Sequence, residues 1–156
     1  VSVPLIETIS EHIKTTIASA TAANRNGVQQ NFSAVRPNRM QFSLTTWDDL
    51  TVLIDRMDAE EGKGGYGTKE WRQYFGLSAF VIDSDLATTS IDTRLNEVEA
   101  NIVKKLLEDT SRGGKAIDTN WHASTPFVDE QGRMSGILIM ISVDYRTAEN
   151  DPYTQI

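Results

Sequence analysis

Two hydrophobic periods alternate along the chain. Leu5, Ile6, Ile9, Ile13 and Ile17 recur at spacings of three and four, with Glu7, Glu11 and Lys14 on the other face. This pattern predicts an amphipathic helix over residues 4–20. Pro4 suits a first helical position, and Asn24-Arg25-Asn26-Gly27 supplies a turn after it. Ile91, Leu95, Val98, Ile102, Val103 and Leu106 trace a second helix to residue 108. Thr88-Thr89-Ser90 offers its N-cap, and Arg112-Gly113-Gly114 closes it.

The other runs have a period of two. Residues 28–35 read as a strand that Arg36-Pro37-Asn38-Arg39 interrupts, and residues 50–54 as a short strand. In residues 70–82, Trp71, Phe75, Leu77, Ala79 and Val81 share one face, with Gln73 the polar exception. Tyr74, Phe80 and Ile82 make the other face apolar too, which predicts a central or helix-covered strand. Residues 116–121 and 125–128 read as a strand with an irregularity at Pro126. Asp129-Glu130-Gln131-Gly132 turns the chain into a strong closing strand, residues 135–145. The expected fold is one α+β domain over residues 1–156, with a mainly antiparallel sheet of four to six strands and both helices on one face. Residues 58–69, dense in Gly and charge, read as a mobile loop or long hairpin tip. Residues 146–156 read as an extended C-terminal arm carrying Tyr153 and Ile156 as anchors.

Composition narrows the function. The net charge of -7 argues against a protein that grips nucleic acid from outside, because such binding neutralises phosphates with Lys and Arg. The chain has no cysteine, which excludes thiol nucleophiles, disulfides and Cys-based metal sites. No apolar run approaches the ~20 residues that a spanning helix needs. No signal peptide is visible, and Val1 reads as following a removed initiator Met.

Candidate chemistry is sparse. Gly62, Gly64 and Gly67 match G-x-G-x-x-G in letters, but the segment follows an acidic stretch and leads into a strand, so a loop tip fits better. Asp83 and Asp85 lie between a long strand and a helix, where paired carboxylates can hold Mg²⁺ or act as a nucleophile. No second acidic cluster or catalytic Lys completes that site. Solvated carboxylates near a helix N-terminus are the plainer explanation. His122 follows Trp121 in a strand or bulge, and neither it nor His12 has a metal-ligand partner at useful spacing. Trp47, Trp71 and Trp121 fit core and subunit contacts better than a binding stripe. Arg36, Arg39, Arg72 and Arg112 fit ion pairs with the excess of Asp and Glu. No catalytic, cofactor or metal residue is expected, and the chain reads as a structural protein rather than an enzyme. A small Mg²⁺-dependent hydrolase using Asp83 and Asp85, and a monomeric regulatory or binding domain, are the alternatives of another class.

Short motifs then carry a resemblance. Tyr145-Arg146-Thr147 followed by Asp151-Pro152-Tyr153-Thr154-Gln155 is similar to the C-terminal end of small proteins encoded among the head–tail and tail genes of tailed bacteriophages. Arg36-Pro37-Asn38-Arg39, Glu70-Trp71-Arg72, Ile91-Asp92-Thr93-Arg94 and Arg112-Gly113-Gly114-Lys115-Ala116-Ile117-Asp118 add to it in order. The resemblance implies a tail terminator or tail-completion protein. Such a subunit forms a ring, expected to be hexameric, that caps the tail tube and joins it to the head connector or stopper. Genomic DNA passes through the lumen without sequence-specific contact. The protein would reside in the virion neck after assembly in the host cytoplasm, with no membrane partner. A head-completion or connector-stopper subunit, or another minor tail protein, is the near alternative. On this resemblance, Glu60, Lys63, Tyr66 and Lys69 of the loop would reach the tube or connector. Tyr145, Arg146, Asp151, Pro152, Tyr153 and Ile156 would meet a neighbouring subunit.

Overall fold

A computed structural model describes residues 2–36, 49–82, 90–128 and 134–156. Helix α1 spans Leu5–Ala18 and buries Leu5, Ile9, Ser10, Ile13 and Ile17, the face that the spacing predicts. Pro4 stands just outside it as the N-cap residue, and its carbonyl accepts from the Glu7 amide. Helix α2 spans Ile91–Leu107, and the Ser90 hydroxyl accepts from the Thr93 amide at 3.3 Å. It buries Leu95, Val98, Ile102, Val103 and Leu106, together with Arg94.

Strands β1 (Thr21–Ala23) and β2 (Gln29–Asn31) form a small hairpin around Asn24–Gly27. The expected turn is there, but the strand before it has no sequence signal. Strands β3 (Ser33–Val35), β4 (Thr51–Glu61), β5 (Thr68–Ile82), β6 (Asp118–Val128), β7 (Met134–Ala148) and β8 (Asp151–Gln155) build the main sheet. Its order is β3-β4-β5-β7-β6, with β8 also on β7. Among the described residues, only β3 and β4 pair in parallel; the other pairs are antiparallel. The α+β architecture is therefore as the periodicities indicate, with β5 and β7 central.

Both helices pack on one face. Val52, Ile54, Phe75, Leu77, Ala79, Val81, Ile137, Ile139, Ile141, Val143 and Tyr145 meet the apolar stripes of α1 and α2 there. The opposite face is divided. Toward Ile82 and Met134 it is apolar: Leu53, Phe80 and Met134 are buried, and Phe80 packs edge-to-face on Phe127 at 5.5 Å. Toward Thr68 and Ala148, the hairpin end, it carries Glu70, Arg72, Asp144 and Arg146.

The strand expected over 28–35 is two strands, β2 in the small hairpin and β3 on the main sheet, and three other boundaries differ from the sequence reading. First, β4 does not stop near residue 54 but runs to Glu61, and β5 starts at Thr68. Much of the expected loop over 58–69 is thus paired strand, and only 62–67 form the tip. Second, the irregularity of β6 lies between Trp121 and Ala123, at His122, whereas Pro126 pairs in register with Ile137. Pro126 is tolerated because β6 is an edge strand among the described residues. Third, residues 146–156 do not project as an arm. Arg146 to Ala148 stay in β7, and β8 folds back along it, pairing Thr147 with Gln155 and Ala148 with Asp151.

A buried ion pair fixes the end of the sheet away from the hairpin. The Arg94 guanidinium lies 3.0 Å from the Asp49 carboxylate and donates to the Ile82 carbonyl at 2.7 Å. Asp49 also accepts from the amides of Arg25 at 2.7 Å and Ile82 at 2.9 Å. One pair of side chains thereby joins α2, β5, the segment leading into β4 and the β1–β2 turn. Arg112, in the left-handed region at φ 50, is fully buried and donates to the carbonyls of Leu106, in the last turn of α2, and Asp109, just beyond it. A cation there answers the orphan carbonyls of the helix C-terminus.

Candidate interface at the hairpin end of the sheet

The segments singled out separately in sequence meet at one end of the molecule. Thr68 pairs with Ala148, Lys69 with Thr147 and Glu70 with Arg146, and the Glu149 amide donates to the Gly67 carbonyl at 3.0 Å. The β4–β5 tip and the β7–β8 turn therefore lie side by side. Helix α1 approaches β8 at this end.

Most interface candidates face solvent here. Tyr66 is fully exposed at the tip, Tyr153 and Ile156 are exposed on and beyond β8, and Glu60, Lys63 and Pro152 are exposed as well. Lys69 is half-buried, 3.7 Å from Glu61, with its ammonium 5.6 Å from the Trp71 ring centroid. Arg146 is exposed and donates to Glu70 at 3.3 Å. Asp151 accepts from the Tyr153 amide and the Thr154 hydroxyl, and these bonds hold its carboxyl below the ordinary range. Tyr145 is different. It is 6% exposed within the core, and burial raises its phenol pKa, so its ring is not offered to a neighbour.

The exposed part of β4 needs an unusual support, which the sequence shows only as an exception to alternation. The β4–β5 register shifts between Arg56 and Ala59. Fully buried Gln73 fills that bulge. Its amide donates to the carbonyls of Met57 at 2.7 Å, Asp58 at 3.1 Å and Tyr74 at 2.9 Å, and it accepts from Arg56 Nε at 2.9 Å. One side chain satisfies backbone groups that the bulge removes from the ladder.

The helix-free face beside this bulge is acidic, and its two arginines, Arg72 and Arg146, are each paired with a carboxylate. Arg72 makes a two-pronged contact with Asp144, with Nε at 2.9 Å and Nη2 at 3.3 Å. That contact holds the guanidinium more firmly in its charged form. Glu60, Glu61, Gly62, Glu70, Trp71, Arg72 and Asp144 line an open cleft of about 230 Å³. Among the described residues, no group of three or more His, Asp or Glu is placed to hold a metal ion.

His122 is joined to no accessible nucleophile among the described residues. His122 Nε2 lies 2.6 Å from Ser142 Oγ, but Ser142 is fully buried and closed to substrate. Among the described residues, no carboxylate orients the His122 ring, as a nucleophilic triad requires. His12 packs between α1 and the turn after α2, 3.7 Å from Asp109. Burial and the Arg112 guanidinium nevertheless lower its pKa, outweighing Asp109. Asp83 and Asp85, with Pro37, Asn38, Arg39, Trp47, Thr88, Thr89 and the turn at 129–132, lie outside the described residues. Arg36 is an ion-pair residue as expected: it reaches Glu7 at 2.5 and 2.8 Å and Glu11 at 2.6 Å, tying α1 to the end of β3. No helix among the described residues is long and apolar enough to cross a membrane. No family model and no curated protein matches the chain.

Proposed function

We propose that this chain is a structural subunit of a tailed-phage neck, a tail terminator or tail-completion protein that forms a ring, closes the tail tube and joins it to the head connector. The observation that carries this reading is the convergence at the hairpin end. The β4–β5 tip and the β7–β8 turn together present Lys63, Tyr66, Pro152, Tyr153 and Ile156 on one exposed end. That arrangement suits axial docking on another ring. The charge pattern supports a lumen through which DNA slides: Arg72 and Arg146 each face a carboxylate directly across the strands, which leaves little free cation for phosphate.

Electron microscopy and light scattering of the purified protein test the reading. Rings that cap isolated tail tubes are expected. A protein that stays at its 17.4 kDa protomer mass at every concentration and leaves tubes uncapped removes the proposal. Binding to connector rings but not tubes reassigns it to the head side of the joint. Deletion of 151–156 is the sharper probe, since a deletion that begins at 147 would also strip β5 of its partners Thr147 and Ala148. The truncated chain is expected to melt close to the intact one and to lose tube attachment. Unchanged attachment removes the tail from the interface.

A further inference from the structure

We infer that the outer edge of β6 in one copy pairs antiparallel with the outer edge of β4, residues 59–61, in the next copy, so that the main sheet continues around the ring. This deepens the ring reading above and rests on it. The two edges fit in direction. β4 and β7 run one way, β5 and β6 the other. Rotation about an axis along the strands preserves direction, so β6 meets the next β4 as an antiparallel neighbour.

They also fit in position. On β6, the His122 bulge and Pro126 interrupt the edge and leave 118–121 as its regular stretch. On β4, β3 covers 51–53, the bulge at 57–58 gives its carbonyls to Gln73, and among the described residues 59–61 have β5 as their only strand neighbour. Asp118, Asp144, Arg72 and Glu60 form one row across the sheet, and Trp121, Ile141, Phe75 and Arg56 another. The two stretches, open among the described residues, therefore stand at the same height, and a flat ring brings them together.

The surfaces differ as a head-to-tail contact requires. Ile117, just before β6, and Trp121 are 46% and 47% exposed along this edge. The β4 edge carries Asp58, Glu60 and Glu61. Two β4 edges would set these carboxylates against their own copies, whereas β6 begins beside exposed Lys115. The shared row does set Asp118 toward Glu60, so Asp118→Asn is expected to raise the ring fraction at limiting concentration.

Because the chain has no cysteine, single cysteines report the contact cleanly. One set of variants carries Cys at Ala59, Glu60 or Glu61; the other at Asp118, Asn120 or Trp121. Mixed in pairs, unfolded and reassembled together, then oxidised, β4 and β6 variants are expected to give a covalent dimer that neither gives alone. Doubly substituted chains are expected to give ladders up to the closed ring. Dimers from β6 variants alone would replace this contact with a two-fold one. No cross-link in a sample that scatters as a ring overturns the edge contact and leaves the ring reading standing. A wild-type chain that never exceeds 17.4 kDa overturns both.

Discussion

Along β4, residues 51–54 are buried, whereas residues 55–61 are exposed throughout. Both halves pair with β5 and both are β-strand. They differ in what lies over them. Val52 and Ile54 belong to the core beneath α1 and α2, and Leu53 packs with Phe80 on the opposite face. Beyond the bulge, side-chain burial gives way to the Gln73 bonds, the Arg72–Asp144 contact and the ladder itself. Apolar burial is the dominant stabilising term in a domain, and exposed ion pairs contribute little. The buried half thus holds the fold, while the exposed half is carried by it and is available for contact.

The sharpest way to break this comparison is at the buried end. Asp49→Ala leaves the Arg94 guanidinium buried without its carboxylate and should cost roughly 3–5 kcal/mol, read as a fall in the urea midpoint. A cost below ~1 kcal/mol would show that the ion pair does not anchor that end. Gln73→Leu comes next. It keeps the volume but orphans the Met57 and Asp58 carbonyls, for an expected loss of about 1–3 kcal/mol. Amide exchange should quicken around the bulge and stay slow at 75–80; uniform acceleration would mean that the two halves open as one unit.

A smaller effect is expected from pH. The folded His12 pKa is depressed by burial and by Arg112. The unfolded chain therefore binds the proton more readily, and stability falls as pH drops from about 6.5 through the lower folded pKa. His12→Gln should flatten that segment of the stability profile, and an unaltered slope between pH 7 and 5 would assign the dependence elsewhere. Least of all, Arg72→Ala should lower Tm less than Gln73→Leu does, because its ion pair is solvent-exposed. An equal loss would show that the charged face stabilises the fold.

The same division explains what the sequence reveals. The helices and the buried stretches of β5 and β7 are legible because Ile9, Ile13, Leu95, Leu77 and Ile139 obey the period of their element. The outer half of β4 reads Asp-Arg-Met-Asp-Ala-Glu-Glu, with no alternation, because neither face is buried and only its partner makes it a strand. Thr21-Ala22-Ala23 is too short to show a period. The irregularity read at Pro126 is misplaced because Pro126 sits in an edge strand, whereas the reading of His122 as a strand or bulge residue meets the register shift there. Gln73 is visible as an exception, but its role depends on a bulge 16 residues earlier in the chain. Asp49 and Arg94 look like ordinary surface charges until their separation of 45 residues is closed by the fold. The clustering of the two exposed turns follows from the β5–β7 register, which no local pattern encodes.

That register also orders events while the chain is being made. β5 pairs with β7 between residues 52 apart at Ile82–Met134 and 80 apart at Thr68–Ala148. The hairpin of β4 and β5 can close as soon as it is synthesised, but its second edge must wait for α2, β6 and the whole of β7. During that interval, a strand bearing Phe75, Leu77, Ala79 and Val81 has an open side. This nascent segment is the part of the protein most exposed to pairing with the wrong chain, and the strand that later becomes the centre of the sheet is the one at risk.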